Sequence, residues 1–275
     1  MKLKYFGTAA AEGIPGLFCN CRICKNALEK RGKEIKTRSQ ALLDGKILID
    51  FPPDTYMHVL NYGLDLRQIR HCIITHSHFD HLFERDFWCR LPSIANEIEE
   101  KALHVYLTSA GYRRAKEFFG ADVDCARLKF HEIKEFEPFW IEDYRIIPLR
   151  ANHDPAANPV IYAIEHNGKS ILYANDTGFL FDETLDYIKS LGIRFDYISL
   201  DCTSMLIKGT RDHHMSLDVD VELFERLIEI GACDKDTAVY VNHFSHNGLA
   251  THEEFVKIAA RHGFGVTYDG LEVEI

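Results

Sequence analysis

The sequence predicts an α/β (α+β) protein built as an αββα sandwich, in which two mixed β-sheets pack face to face and are flanked by helices. Three observations predict this fold. Short apolar runs typical of strands recur along most of the 275 residues. Asp44-Gly45 and Asn167-Gly168 each separate two such runs, which is the signal for a tight hairpin. Segments of helical periodicity lie between the later strands, an order that favours sheets covered by helices.

The elements follow from these patterns in chain order. Strands are expected at residues 3–6, 41–44, 46–50, 72–75, 104–107, 144–149, 160–165, 170–174, 197–201, 238–241 and 265–268. Helices are expected at residues 109–119, 182–191, 217–230 and 251–262. Thr251 and Glu254 have the spacing of a capping box, and Asp54 is expected to cap a helix that follows it. No linker or repeat divides the chain, so residues 1–275 are interpreted as one domain.

Composition and charge restrict the classes of function. The chain is 46% hydrophobic and 27% charged, which is ordinary for a globular protein. It contains no apolar run as long as a membrane span, and its first residues do not resemble a signal peptide, so we expect a cytoplasmic protein with no membrane partner. The net charge of −10 makes a large nucleic-acid partner improbable, whereas a small anionic substrate fits if metal ions supply positive charge.

The most informative motif is His76-Ser-His78-Phe-Asp80-His81, which directly follows an apolar strand-like run. Imidazole nitrogens and carboxylate oxygens are the ligand types that zinc, manganese and iron accept. A loop would let all four side chains converge, as two adjacent metal ions require. The motif therefore predicts a metal centre at the end of a buried strand.

Three further candidate ligands each follow another predicted strand. His153, Asp176 and His243 come shortly after the strands at residues 144–149, 170–174 and 238–241. Sheets of this kind usually place their chemistry at the carboxyl ends of their strands. We therefore expect these three side chains to meet the His76–His81 loop.

These motifs resemble those of the metallo-β-lactamase superfamily, whose members carry HxHxDH at the end of a buried strand. The resemblance implies the metallo-β-lactamase fold and two divalent catalytic metal ions, either zinc, manganese or iron. It implies that His76, His78 and His153 bind one ion and that Asp80, His81 and His243 bind the second. Asp176 would bridge the two ions, which together could polarise a phosphoryl oxygen and hold a hydroxide.

A second metal site is predicted near the N-terminus. Cys19, Cys21 and Cys24 form a CxCxxC motif, which is half of a structural zinc site. His246 is the expected fourth ligand, because it lies three residues beyond His243 and can point towards a neighbouring loop. A CxCxxC motif near the N-terminus, together with a histidine three residues after the last catalytic ligand, resembles the pattern of the PhnP-type cyclic phosphodiesterases. Proteins of the pyrroloquinoline-quinone biosynthesis group share the cysteine site but lose parts of HxHxDH that are intact here.

The resemblance also implies a general acid. In PhnP-type enzymes and RNase Z, a histidine before the helix that leads to the last metal ligand protonates the leaving oxygen. His214 matches that position best, with His213 as the alternative. Of the metal ligands, Asp80 is also expected to take part in catalysis. The sequence does not identify substrate-binding residues.

The function predicted on this basis is hydrolysis of a small cyclic phosphate or phosphate diester, with a hydroxide held by the two metal ions as nucleophile. The resemblance suggests 5-phosphoribosyl 1,2-cyclic phosphate or 2′,3′-cyclic nucleotides. The alternatives are an RNase Z-like nuclease, a lactone or thioester hydrolase of the same superfamily, or a metal-binding accessory protein of a biosynthetic pathway. A small phosphorylated substrate is the expected partner, and a homodimer is compatible with the sequence.

Overall fold

Two β-sheets packed face to face form the centre of the molecule. The computed structural model describes residues 1–92, 94–98, 101–120 and 127–275. Within these residues the strands are β1 (Lys2–Gly7), β2 (Gln40–Leu43), β3 (Ile47–Ile49), β4 (His71–Ile73), β5 (Leu103–Leu107), β6 (Leu128–Glu132), β7 (Phe139–Ile141), β8 (Tyr144–Arg150), β9 (Val160–His166), β10 (Lys169–Ala174), β11 (Tyr197–Asp201), β12 (Ala238–Asn242), β13 (Gly265–Val266) and β14 (Glu272–Glu274).

Each sheet is mixed, with seven strands among the described residues. The first has the order β14-β1-β2-β3-β4-β5-β6, and the second has the order β13-β12-β11-β10-β9-β8-β7. In the first sheet β3 to β6 run parallel, and in the second β10 to β13 run parallel. β8 and β10 both pair antiparallel with β9, so they point the same way. The carboxyl ends of β8, β10, β11 and β12 therefore lie at one edge of the second sheet.

Helices cover the outer face of each sheet. They are α1 (Arg22–Lys30), α2 (Thr55–Tyr62), α3 (Ser109–Phe119), α4 (Asp182–Leu191), α5 (Leu217–Glu229) and α6 (His252–Ala259), and short 3-10 turns occur between elements. One apolar core lies between the sheets and includes Tyr5, Ile146 and Tyr162. Two others lie between each sheet and its helices. The predicted αββα sandwich is therefore confirmed.

Hydrogen bonds join the two sheets near the carboxyl ends of β4 and β12. Tyr162 donates its hydroxyl to the backbone oxygen of Ile74 at 2.6 Å, and the amide of Val160 donates to Thr75 at 2.9 Å. The amide of Phe244, just beyond β12, donates to Thr8, just beyond β1, at 2.9 Å. These contacts bring the loops that follow β4 and β12 to the same side of the sandwich.

Both predicted hairpin turns are present. Asp44-Gly45 and Asn167-Gly168 have positive φ at both residues (50° and 71°, 49° and 73°), as a type I′ turn requires. The capping box of Thr251 and Glu254 is also present.

Several elements differ from the sequence prediction. The strands β6, β7 and β14 and the helix α1 were not predicted, because these elements are short and their sequences carry only a weak periodic signal. Asp54 occupies the N-cap position of α2 but makes no capping hydrogen bond, so that expectation was wrong. Its carboxylate instead accepts from the amide of Arg38 at 2.9 Å and pairs with the Arg38 guanidinium at 3.2 Å.

Candidate metal centre

The His76–His81 loop begins three residues after the end of β4 and folds back on itself. The amides of His81 and Leu82 both donate to the backbone oxygen of His78, at 3.1 and 2.8 Å. This tight turn lets four side chains of one short segment reach the edge of the sandwich. His76 and His81 are buried at 1% and 0% exposure, so they lie below the surface where competing water is scarce.

Two groups of ligand atoms converge at this edge. The first consists of His76, His78, His153 and Asp176, and the second consists of Asp80, His81, Asp176 and His243. Within each group the ligand atoms all lie within 4.8 Å of one another. The structure thus brings together all seven side chains that the sequence singled out, with Asp176 common to both groups. That these residues bind metal remains a prediction.

Asp176 occupies the position between the two groups. Its Oδ2 lies 3.2 Å from Nε2 of His76, 3.0 Å from Nε2 of His81 and 3.7 Å from Nε2 of His243. Burial alone would raise the pKa of Asp176, but the imidazoles of His243 and His76 outweigh it and hold that pKa well below its usual range. The carboxylate is therefore ionised, as a bridging ligand must be.

Every ligand histidine has its outer ring nitrogen next to an oxygen. The pairs are His76 Nδ1 with Thr75 Oγ1 (3.1 Å), His78 Nε2 with Asp154 Oδ2 (3.2 Å), His81 Nδ1 with Asp50 Oδ2 (2.8 Å), His153 Nδ1 with the backbone oxygen of His213 (3.1 Å), and His243 Nδ1 with Asp201 Oδ2 (3.2 Å). Such contacts orient metal-bound imidazoles and fix which nitrogen carries the proton. The inner nitrogen of each ring faces the cluster, where Nε2 of His76 and Nε2 of His153 lie 3.0 and 3.2 Å from Nδ1 of His78.

The inner nitrogen and oxygen atoms of the cluster are better placed to bind metal ions than to form hydrogen bonds with one another. Nε2 of His81, Nε2 of His243 and Oδ1 of Asp176 are buried and have no partner in hydrogen-bond geometry among the described residues, although polar atoms lie 3.0 Å from Nε2 of His81 and 3.2 Å from Oδ1 of Asp176. Buried polar atoms without a partner are rare and call for a reason. Inward-facing nitrogen and carboxylate donors, three of them lacking a hydrogen bond, suit two divalent cations, and the donor set accepts zinc, manganese or iron.

Three residues of the site have left-handed backbone conformations. Asp50, Asp176 and His243 have φ of 66°, 57° and 63°, and each follows or ends a β-strand. Residues other than glycine adopt this region rarely, and such conformations concentrate at functional sites.

Two aspartates that contact the outer ring nitrogens of predicted ligand histidines were not identified from the sequence. Asp50 and Asp201 are fully buried, and they lie behind His81 and His243. Each is the last residue of a predicted apolar strand. The rule that pointed to His153 and Asp176, a polar residue at a strand's carboxyl end, would also have found them.

His214 lies on the open side of the cluster. Its Nδ1 is 3.2 Å from Oδ1 of Asp176 and 3.2 Å from Oδ2 of Asp201, and its side chain is 30% exposed. Burial opposes protonation, but Asp201 outweighs it and raises the pKa of His214 to about 9. The side chain of the alternative residue, His213, is exposed, and its backbone oxygen lies beside His153.

The cysteine motif and His246 form a separate cluster. Sγ of Cys19 and Sγ of Cys21 lie 3.6 and 3.7 Å from Nδ1 of His246, and Cys24 completes a group whose ligand atoms lie within 4.8 Å of one another. All three thiols are free. Burial opposes ionisation of Cys21, but the amide of Cys24 and the thiol of Cys19 outweigh it and lower its pKa to about 6. A thiolate at this position suits a structural zinc ion.

Two openings lie near the predicted metal clusters. One, the His153 cleft, has a volume of about 700 Å³ and is lined by residues that include Arg150, Asn152, His153, Phe181 and His213. The other, the Phe18 groove, has a volume of about 440 Å³ and is lined by residues that include Glu12, Leu17, Phe18, Arg38 and Phe79. The His153 cleft thus includes a predicted catalytic ligand, whereas the Phe18 groove includes Cys19 and His246 of the cysteine cluster.

The fold and the paired His/Asp clusters define a metal-dependent hydrolase of the metallo-β-lactamase fold. Residues 46–263 match the β-lactamase superfamily domain, so the chain belongs to that superfamily. No helix in the described part of the chain combines the length and the apolar character needed to cross a membrane.

Several solved structures share the whole fold. A diphosphatase of the PhnP family superposes with a TM-score of 0.76 at 22% identity, covering 100% of this chain and 96% of the other. Zinc-bound PqqB from Methylobacterium extorquens gives 0.73 at 18% identity, covering 100% of both chains. The short form of human tRNase Z gives 0.66 at 14% identity, covering 100% of this chain and 99% of the other. These identities establish similarity of fold.

One curated protein is related in sequence along the whole chain. It is an octanoyltransferase of Porphyromonas gingivalis (strain ATCC BAA-308 / W83), 26% identical over 284 residues. The alignment covers 100% of this chain but only 52% of the relative. The chain therefore spans about half the length of the curated relative that it matches.

Proposed function

We propose that this protein is a metal-dependent phosphodiesterase that hydrolyses a small cyclic phosphate or phosphate diester. The observation that carries the proposal is the position of His214 beside the catalytic cluster, with the buried carboxylate of Asp201 at its Nδ1. Cleavage of a phosphate ester expels an alkoxide, which is a poor leaving group unless it receives a proton. A partly exposed imidazole held beside the cluster can donate that proton.

Different residues of the chain have separate roles in the proposed reaction. Two divalent ions in the two His/Asp groups would place positive charge beside the phosphoryl oxygens and lower the pKa of water. Asp176 is common to the two groups, and Asp201 accepts a hydrogen bond from Nδ1–H of His214, which leaves Nε2–H as the proton to be donated. Water loses one proton to solvent as its oxygen bonds to phosphorus, the bond to the leaving oxygen breaks, and that oxygen takes the proton on Nε2 of His214, which solvent then replaces.

An acyl thioester hydrolase is the second candidate. The relative that is named an octanoyltransferase favours it, although the chain matches only half of that protein. A thiolate leaves readily without a proton, so this chemistry would not need His214. The role of His214 therefore separates the two candidates.

The test is a substrate panel with the metal-loaded protein. Bis(p-nitrophenyl) phosphate and a 2′,3′-cyclic nucleotide should be hydrolysed, whereas a simple lactone and an octanoyl thioester should not. Preparations loaded with zinc, manganese or iron should be compared, because the ligand set accepts all three. Turnover of the thioester without turnover of either phosphate diester would refute the proposal.

A further inference from the structure

A third group of ligand atoms lies beside the two groups of the predicted catalytic centre. It consists of Asp176, Asp201, His214 and His243, whose ligand atoms all lie within 4.8 Å of one another. Asp176 and His243 also belong to the second group, whereas Asp201 and His214 belong to neither of the first two. The third group therefore defines a separate position, between the predicted catalytic centre and the proposed proton donor.

Two carboxylates of this group lie beside the same nitrogen. Nδ1 of His214 is 3.2 Å from Oδ1 of Asp176 and 3.2 Å from Oδ2 of Asp201. Only the contact with Asp201 has hydrogen-bond geometry, and Oδ1 of Asp176 is buried without such a partner among the described residues. Nδ1 of His153 lies 3.5 Å from that oxygen and can use the backbone oxygen of His213, at 3.1 Å, instead. One N–H does not satisfy two carboxylates, and a cation between them would.

Both carboxylate oxygens are available to a further cation. Oδ2 of Asp176 lies beside histidines of both catalytic groups, whereas Oδ1 is the oxygen beside His214. The contact of Asp201 with His243 can be replaced, because Oγ1 of Thr203 lies 2.8 Å from Nδ1 of His243 and can accept its proton. Thr203 can at the same time donate to the backbone oxygen of His243 at 2.7 Å.

The spacing and the chemistry of these atoms suit a zinc ion. Zinc binds histidine nitrogen and carboxylate oxygen at about 2.0–2.2 Å in tetrahedral geometry, which places neighbouring ligand atoms about 3.4 Å apart. The two separations of 3.2 Å around His214 are close to that value. The side chain of His214 is 30% exposed, so water can complete the coordination of an ion at this position.

We propose that Oδ1 of Asp176, Oδ2 of Asp201 and Nδ1 of His214 form a third divalent-cation site of the catalytic centre, and that a zinc ion bound there inhibits hydrolysis. The inference rests on the proposed function and adds a regulation of the same site. Repulsion from two catalytic ions makes this the weakest of the three positions, so it fills last and only when zinc is in excess.

Inhibition follows from the nitrogen that the third ion uses. The zinc ion takes the place of the proton on Nδ1 of His214, and that proton passes to solvent. Without the ion, donation of the Nε2 proton leaves a neutral imidazole. With zinc on Nδ1 the same donation would leave an imidazolate, which is a much stronger base. His214 therefore no longer protonates the leaving oxygen, and only esters that need this proton are affected.

The first test counts the zinc ions and locates them. Equilibrium dialysis of the metal-loaded wild-type protein against rising free zinc should show one weakly bound equivalent beyond the tightly bound ions, and His214→Ala should bind one equivalent fewer. His213→Ala removes an exposed neighbouring imidazole and, as the matched control, should retain the equivalent. Zinc-edge anomalous diffraction from a wild-type crystal in excess zinc should show an ion among Asp176, Asp201 and His214. That measurement keeps the proposal testable if His214→Ala does not fold.

The second test measures the inhibition. Excess zinc should slow wild-type turnover of an alkyl phosphodiester to the rate of His214→Ala, typically about 10²–10⁴-fold, and should slow turnover of a p-nitrophenyl diester much less. His214→Ala should show no further loss when zinc is added, because the ion no longer binds. Steady-state kinetics over a range of free zinc concentration measure both effects.

Several results would overturn the third site. They are equal zinc binding by the wild-type protein and His214→Ala, loss of the weak equivalent in His213→Ala instead, and an anomalous peak at surface residues alone, which would mark an adventitious ion only. Zinc inhibition that is equal for both esters, or that persists in His214→Ala, would overturn the proposed effect. The proposed function fails separately, because a lack of phosphodiester hydrolysis leaves the count of zinc ions unchanged.

Discussion

The buried carboxylate of Asp201 lies 3.2 Å from Nδ1 of His214, and the same oxygen lies 3.2 Å from Nδ1 of His243. One aspartate thus contacts both the proposed proton donor and a predicted metal ligand. Burial opposes its charge, but His214 and His243 outweigh burial and lower the pKa of Asp201 to about 2. The proposed proton donor and the predicted metal centre therefore share one anion.

Replacing His214 should affect substrates according to their leaving group. General acids typically contribute about 10²–10⁴-fold to rate. We expect His214→Ala to reduce turnover of an alkyl phosphodiester by about that factor, and turnover of a p-nitrophenyl diester much less, because p-nitrophenolate leaves without a proton. Steady-state kinetics on both substrates measure this. Equal losses for the two would remove the proton-donor role, and a selective loss in His213→Ala would assign it to His213.

Replacing Asp201 should disturb orientation rather than remove a catalytic group. In Asp201→Asn the side-chain NH2 group, which is a hydrogen-bond donor, can lie opposite the Nδ1–H of His243, where the wild-type protein has an acceptor. Changes of this kind typically cost about 10–100-fold in metal affinity or activity. Metal content and turnover, measured together over a range of free metal concentration, should both fall.

Asp220→Asn is the matched control for Asp201→Asn. Asp220 is also fully buried, and burial raises the pKa of its carboxyl well above the usual range, which favours the neutral form that an amide resembles. The amide should therefore change turnover little. Equal losses in the two variants would show that any change to a buried aspartate in this region is damaging. That result would contradict a specific role of Asp201.

Removing one cysteine of the CxCxxC motif should remove a metal ion. Cys21→Ala is expected to lower the bound metal by one equivalent and to lower the melting temperature, because structural zinc binding contributes on the order of 10 kcal/mol in small peptides. Elemental analysis and thermal unfolding measure the two effects. Cys89→Ala, which removes an exposed thiol outside the cluster, should retain its metal. Unchanged metal content in Cys21→Ala would contradict the structural site.

His58 should make the stability depend on pH. Its Nδ1 lies 2.6 Å from Oε1 of Gln40 and its Nε2 lies 2.7 Å from Oγ1 of Thr37, and burial lowers its pKa from 6.5 to about 4. Between those pH values the unfolded chain binds a proton that the folded protein does not. The free energy of unfolding should therefore fall as pH drops through this range, by about 2 kcal/mol at pH 5 from this group.

The measurement is urea unfolding at pH 7 and pH 5. His58→Gln should be less stable than the wild-type protein at pH 7, because the contacts with Thr37 and Gln40 are altered. It should lose less stability between the two pH values, because glutamine does not titrate. The same pH dependence in both proteins would contradict the assignment to His58.

The sequence alone determined the sandwich and the identity of the converging side chains. Apolar runs and hairpin turns are local signals, and they located the strands that form the middle of both sheets. The His76–His81 motif is also local, and His153, Asp176 and His243 were found because each follows a strand. These signals come from residues that are close together in the chain, so the strands, turns and candidate ligands could be recognised from the sequence.

Only the tertiary structure decided how these parts support one another. The contacts of Asp50 with His81 and of Asp201 with His214 join residues distant in the chain, and no periodicity marks them. The short strand β14 exists because it pairs with β1 at the opposite end of the sequence. The exposed turn at Phe18 becomes a wall of a groove only where the chain returns beside it at His246. Such features depend on long-range packing, which a local pattern does not encode.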